Sequence, residues 1–585
     1  MRGAELVSRR RPFSLLGLAR PVRGACRARH APLLAALVTG LLGAAIATID
    51  VTRPGALHGV IQYDDGTYYA ASAQLLAGRL PYRSFVFVQP PGIAVLLTPV
   101  VWLAHSSASG LAAARVCTAL VAGLNAFLAG AAVRHRGVAA TIVAGGLLAF
   151  DPAAFFADRT VLLEPYLVAF CLLALLAAFP RGALAGPRRL ALAGALLGCG
   201  AAVKVWAVLP LAALCCVALV ATRADGDRRG GGWRRGLAPV LGGALIGGSL
   251  SYLPFFAAAP GAMWHDVVVA QLDRPPTVHP FFVSLAVLVG LHGLAQSAPR
   301  VVSIACAALF AGLLLAGSAV PLLRRRADRL EAAALLSTIA AIAAVLSASE
   351  FYDHYAYFPA AFAAVSLGAT VPRGRGALAR RLTVRARRIA ATGALAAAAG
   401  LAAFTAISET AYATAAAARA GDPAAAIDRA VPRGACAISD APILLVVADR
   451  LDTRRTCPAL VDPEGAALAL APHRSVTAAL AMPALARLWE SALARAAYFV
   501  RSPSARHRLP STPGFASFLA RHEERRAVAG ASVFARRPPH AASASASASP
   551  SGAGPRAGAR RAHAETGGAS SRSRASTAAT ESGRA

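Results

Sequence analysis

Lysine is all but absent from this chain: of 60 basic residues 59 are arginine, and the single lysine, Lys204, interrupts the apolar run GCGAAVKVWAVLP (198–210). Acidic residues are scarce as well, 28 in 585, which leaves a net charge of +32. Only 15% of residues are charged against 56% hydrophobic, and mean hydropathy is +0.54. That balance excludes a soluble multidomain protein of this size. The apolar runs lack the period-2 alternation of a barrel strand, which excludes a transmembrane barrel. Seven of the nine cysteines (Cys26, Cys117, Cys171, Cys199, Cys215, Cys216 and Cys306) lie in or near apolar runs without metal-ligand spacing or partner histidines. They read as small core residues, not as a zinc site. The arginine clusters are not interleaved with aromatics, so no nucleic-acid partner is expected, and topology and anionic lipid account for them better. There is no internal repeat.

What is present is a series of apolar runs of about 15 to 25 residues, the length with which a helix crosses a ~30 Å hydrocarbon core. Eleven spans are expected, near 32–50, 110–133, 138–157, 162–180, 190–203, 205–221, 237–257, 301–322, 330–348, 354–371 and 388–407. The eight arginines among residues 1–31 place a basic N-terminus in the cytoplasm, followed by a retained first helix and not a cleaved signal peptide. With that orientation 29 arginines fall on the inner side and 7 basic residues in the outer connections, as the positive-inside rule requires. Two shorter runs, 92–104 and 281–291, are expected as interfacial or re-entrant helices on the outer face.

The membrane domain is thus expected over 32–407, in the plasma membrane. Residues 408–538 should form a small extracytoplasmic α/β region, with ACAISD and ILLVVADR as strand-like pieces, and 539–585 a disordered tail. In an oxidising compartment Cys436 and Cys457 can pair.

Under this topology every outer loop carries ionisable groups. The first holds Asp64 and Asp65 in YDDGTYYAASAQLLAGRLPYRSFVFVQPPG, and the second Asp158, Arg159 and Glu164 in DPAAFFADRTVLLEPY. Lys204 is itself the third turn, the fourth loop holds His265, Asp266, Asp273 and Arg274, and the fifth holds Glu350, Asp353 and His354. Singly, each has an ordinary explanation as a helix cap, a turn, an interfacial aromatic belt or a snorkelling side chain. Five loops agreeing at one membrane face point to function, because ionisable groups near membrane depth are costly. A carboxylate at the mouth of a helical bundle can act as general base toward a hydroxyl, worth about 10²- to 10⁴-fold. Lys204, Arg159 and Arg274 can hold a lipid phosphate and stabilise it as it departs.

The first loop, DDGTYYAASAQLLAGRLPYRSFVFVQPPG, together with DRTVLLEP and AAVKVWAVLP, resembles the polyprenyl-phosphate-sugar-dependent glycosyltransferases of the GT-C fold. The likeness is to the bacterial branch of family 39, related to protein O-mannosyltransferases and aminoarabinose transferase, and it covers residues 30–370. It implies an all-α polytopic membrane enzyme, a monosaccharide donor carried on polyprenyl phosphate, no nucleotide sugar and no essential metal or other cofactor. The acceptor would be an extracytoplasmic glycan, lipid or protein. The resemblance implies a catalytic aspartate at Asp64 or Asp65, a second acidic position at Asp158 or Glu164, and a late-loop element at Asp353 and His354. No WWDYG-type element is present, which disfavours transfer of a preassembled oligosaccharide. The alternatives are a transporter or flippase for an anionic lipid or solute, which would show paired halves with interrupted helices, and a non-catalytic scaffold.

Overall fold

The structure, a computed structural model, describes residues 19–224, 232–276, 280–291, 300–319, 327–381, 422–471, 475–528 and 530–536, with isolated positions 323, 383, 385 and 386. The first ten expected spans fall on helices. These are α1 (Ala19–Val51), α4 (Ser107–Ala132), the pair α5 (Val138–Ala149) and α6 (Pro152–Asp158), α7 (Leu163–Ala178), α8 (Pro187–Val203), α9 (Val208–Ala224) and α10 (Gly232–Ala258), then Arg300–Leu314, Arg329–Ser347 and Tyr357–Arg381. The span expected at 388–407 lies outside the described residues, as do residues 1–18 and the tail from 539. Five described helices are long and apolar enough to cross a membrane, or six when the bent pair α5–α6 is one span, and α7 and Val205–Ala221 are shorter apolar helices. The chain is a multi-pass helical membrane protein.

Local chemistry sets the breaks. α5 and α6 meet at 55° because Asp151 accepts from the N–H groups of Ala153 and Ala154 and Pro152 occupies the first helical position, which starts a new helix where the old one would have continued. Lys204 caps α8 in an extended conformation (φ −151°, ψ 130°), and a short 3-10 turn, Val205–Ala207, leads into α9. The two short runs form α3 (Gly92–Leu103) and Phe281–Leu288, of 12 and 8 residues. At 1.5 Å per residue neither can cross a bilayer.

Small residues bring backbones together. A Cβ on Gly194 of α8 would lie 2.0 Å from the Val240 carbonyl oxygen of α10, and one on Gly243 would lie 1.9 Å from that of Ala191. This is the close crossing that small residues four apart permit between membrane helices. Gly92, the last residue of QPPG, presses in the same way on the end of α8, where an added Cβ would meet the Ala202 carbonyl oxygen at 2.4 Å. That contact seats the first loop beside Lys204. Gly92→Ala is therefore expected to cost about 1–3 kcal/mol and to lower the melting temperature in detergent; unchanged melting would contradict the contact.

The C-terminal region, 422–536, is α/β, with a four-stranded sheet in the order β1-β2-β4-β3. β1 (Ala437–Ser439) is parallel to β2 (Tyr498–Arg501), and β4 (Ala531–Arg536) runs antiparallel to both β2 and β3 (Glu523–Val528). Its core gathers Trp489, Phe499, Phe515 and Phe534, and Cys436 and Cys457 form a disulfide. ACAISD contains β1 as expected, but ILLVVADR is not a strand: Pro442–Val447 is a helix, buried on all sides. A continuous apolar run does not distinguish a buried strand from a buried helix, and Pro442 at the first helical position decides it.

This region is docked on the first loop. Gly66 of α2 (Tyr63–Leu76) abuts Ile443, so that a Cβ there would sit 2.3 Å from the Ile443 Cα. The Asp449 carboxylate accepts from the Ser107 N–H at 2.8 Å, and Arg79 donates to the Cys457 carbonyl at 2.9 Å.

Candidate functional site

A cavity of about 300 Å³ lies where the loops converge beneath the C-terminal region. Each of the five loops contributes to its lining: Asp64 from the first, Glu164 from the second, Lys204 from the third, Arg274 from the fourth, and Glu350 and His354 from the fifth. The C-terminal region adds Asp462 and Glu464.

Asp64 and Asp65 are adjacent yet placed in opposite settings, because successive positions on a helix face about 100° apart. Asp64 faces the cavity. Asp65 turns into the protein, where it is fully buried and accepts from Arg115 Nε at 3.1 Å and Nη2 at 2.5 Å, and also from the Thr160 hydroxyl. Arg115, equally buried, donates as well to the carbonyls of Ala56, Leu57 and Gly59, at 2.9 to 3.0 Å. Asp65 and Arg115 therefore brace the loop between α1 and α2, and the cavity-facing aspartate is Asp64.

Of the second-loop acids, Glu164 lines the cavity and Asp158 does not. Asp158 and Arg159 instead line a separate cavity of about 10 Å³ together with Asp50, and the Arg159 guanidinium sits 4.0 Å from the centre of the Phe156 ring. Neither lines the main cavity, and Arg159 is kept from it by the Phe156 ring, whose other neighbour is the cavity-lining His354. Asp353 starts the 3-10 turn Asp353–Ala356 and is absent from the cavity lining, whereas His354 is buried in it. Asp266 accepts from the Phe87 N–H at 3.3 Å and pins the first loop.

Lys204 Nζ is ion-paired with Glu164 Oε1. It lies 4.0 Å from the Trp206 ring centre and 3.8 Å from that of Tyr355, so the ammonium is desolvated by aromatic faces as well as neutralised. Arg274 donates to Glu350 at 2.9 Å and to the Tyr352 hydroxyl at 3.0 Å. Asp462 caps the helix Pro463–Ala469, accepts from Tyr63 at 3.1 Å, and accepts from the Val88 N–H at 3.4 Å. Tyr63 in turn accepts from the Glu464 N–H at 2.9 Å, and Arg508 donates to the Glu464 carboxylate at 3.1 Å. Asp462 and Glu464 have a local sequence signal, the helix start DPEG, but nothing in the sequence ties that helix to the first loop. Among the described residues the group with metal-ligand proximity is Cys436, Asp452 and Cys457, and its two sulfurs are already joined to each other.

Burial, followed by the nearby Glu464 and Asp462 carboxylates, pushes Asp64 up to about 7. Burial and Glu464 likewise lift Asp462 to about 6. Docking thus makes both carboxyls hold protons more tightly than in open solvent. The resulting stabilisation is complete below the ordinary carboxylate range of about 4 and is lost as pH rises through 6 and then 7. Hydrogen-exchange protection of residues 442–468, corrected for the intrinsic base-catalysed rise of amide exchange, is therefore expected to fall between about pH 4 and 7, and Asp462→Asn should flatten the lower part of that fall. Protection that is constant or rises over this interval would contradict it.

No protein-family model matches the sequence, and no curated protein matches it. Among solved structures the chain is similar to ArnT from Cupriavidus metallidurans, both bound to undecaprenyl phosphate and in the apo state. The TM-score is 0.54 in each case, at 16% identity over 85% of this chain and 97% of that chain. An alignment that spans nearly the whole of the second protein at so low an identity is a likeness of architecture, and the chain has the GT-C fold expected from its first loop.

Proposed function

We propose that the chain is an integral membrane glycosyltransferase that moves a monosaccharide from a polyprenyl-phosphate donor to an extracytoplasmic acceptor. The carrying observation is the convergence of Asp64, the Glu164–Lys204 pair and Arg274 on one cavity, in a fold shared with a protein solved with undecaprenyl phosphate. Asp64 is the general base: it takes the proton of the acceptor hydroxyl, the oxygen bonds to the anomeric carbon, and the bond from that carbon to the phosphate oxygen breaks. The electron pair leaves with the polyprenyl phosphate, whose charge Lys204 and Arg274 stabilise. Lys204 and Arg274 together supply the positive charge that a metal ion would otherwise bring to the departing phosphate. A base near pH 7 is well matched to this work, and burial beneath the C-terminal region is what brings Asp64 there. The cysteine pair supports placing that region outside the cell, where disulfides persist.

Hexose or pentose, and glycan, lipid or protein acceptor, are choices made by pocket contacts beyond these residues. The donor-phosphate assignment is tested by undecaprenyl phosphate binding followed through Trp206 emission, with Trp206→Phe as the spectroscopic control. Loss of a charge-assisted contact of about 1.5–3 kcal/mol should make Lys204→Ala bind roughly ten- to a hundredfold more weakly. Equal binding by wild type and Lys204→Ala would remove the assignment. A transporter would bind the lipid without cleaving its sugar–phosphate bond.

A further inference from the structure

A phosphate arriving at Lys204 finds the ammonium already occupied. Glu164, only 1% exposed, holds it through Oε1. Among the described residues the other carboxylate oxygen, Oε2, accepts no hydrogen bond, and it lies 3.8 Å from His354 Nε2. His354 is fixed there by its rings: it stacks on Tyr352 (5.5 Å, 15°) and Phe156 (6.4 Å, 9°) and meets Tyr355 edge-on at 5.0 Å. Tyr355 is also one of the two rings that hold Lys204. One carboxylate thus stands between a cation it neutralises and an imidazole just beyond hydrogen-bond reach.

We propose that Glu164 is a displaceable stand-in for the phosphate on Lys204, and that its release is coupled to protonation of His354. This rests on the donor-phosphate reading of Lys204. When phosphate takes the ammonium, Glu164 loses its cation in a dry site, a costly state for a buried carboxylate. His354 relieves it by taking one proton from water and donating Nε2–H to Oε2. A histidine does this near neutral pH, because its ordinary pKa is close to 6.5. The charged and titratable groups around the imidazole include Glu164 from α7, Lys204 after α8, and Arg159 beyond the Phe156 ring. From its own loop come Asp353, Tyr352 and Tyr355, with Arg274 and Glu350 on Tyr352, and Asp64 lines the same cavity. Glu164 and His354 act here as positioning residues, through Lys204.

The test is equilibrium binding of undecaprenyl phosphate to the full chain in detergent between about pH 5.5 and 8.5, an interval centred on the histidine range. Wild-type affinity should fall with rising pH by up to about tenfold per unit more than that of His354→Gln, the dependence that linkage gives for one proton. Ionisation of the lipid monoester is common to both proteins, so the difference in slope isolates the imidazole. Glu164→Gln, which removes the competitor at nearly constant volume, should bind about tenfold more tightly than wild type at the alkaline end and lose the histidine-linked slope. If His354→Gln misfolds, calorimetry of wild type and Glu164→Gln in two buffers of different ionisation enthalpy counts protons directly, and wild type should take up more. Identical slopes in wild type and His354→Gln, weaker binding by Glu164→Gln, or equal proton counts would overturn the proposal. Failure of the wild type to bind the lipid at any pH would overturn the donor-phosphate reading itself.

Discussion

Asp64→Asn is expected to lower release of polyprenyl phosphate from a polyprenyl-phosphate sugar by about 10²- to 10⁴-fold, the usual worth of a positioned general base. The protein should remain folded. Asp64 faces a cavity and is pushed up to about 7 by burial and by two neighbouring carboxylates. Asparagine keeps the volume and removes a charge that the site penalises, so the melting temperature of the variant should match or exceed that of wild type at pH values above 7. Donor binding should change little, because the phosphate is proposed to sit on Lys204 and not on Asp64. Activity within a fewfold of wild type would mean that Asp64 is not the base.

The neighbouring substitution should do the opposite. Asp65→Asn leaves the fully buried guanidinium of Arg115 without its counter-charge, and breaking a buried pair on one side costs about 3–5 kcal/mol. That is a large part of the stability of an ordinary domain. Asp65→Asn and Arg115→Ala should therefore each reduce the yield of folded protein and lower its melting temperature by many degrees. The double change Asp65→Leu with Arg115→Met should recover part of the loss, because no charge is then left unpaired. Activity per folded molecule should fall far less in these variants than in Asp64→Asn. A stable Asp65→Asn protein without turnover would exchange the two roles.

The contrast shows where the sequence was informative. The adjacent aspartates could not be told apart in it, since the distinction lies in Arg115, whose side chain reaches Asp65 from α4. A signal was there: Arg115 stands in an apolar run just as Lys204 does, and a charge at that depth requires a partner. The helical spans, the turn at Lys204 and the loops that carry Asp64, Glu164, Arg274 and His354 were legible because hydrophobic length and arginine placement are strong, local signals. Asp158, Arg159 and Asp353 looked equivalent to these, yet Asp158 and Arg159 line a separate small cavity and Asp353 lies outside the lining of the main one, a distinction of side-chain direction that loop sequence does not carry. The contribution of Asp462 and Glu464 was hidden for another reason. It depends on a contact nearly 400 positions apart, between Tyr63 and Asp462, that leaves no periodic trace in either segment.

The central claim is that this cavity breaks a sugar–phosphate bond on a polyprenyl carrier. The most direct measurement is the time course of polyprenyl phosphate release by the purified full chain from a panel of polyprenyl-phosphate monosaccharides, with cell-envelope acceptor added and with Asp64→Asn run in parallel. The account expects release from at least one donor by the wild type, and loss of that release in Asp64→Asn with lipid binding retained. Intact donor throughout the panel, or equal release by the two proteins, would contradict it.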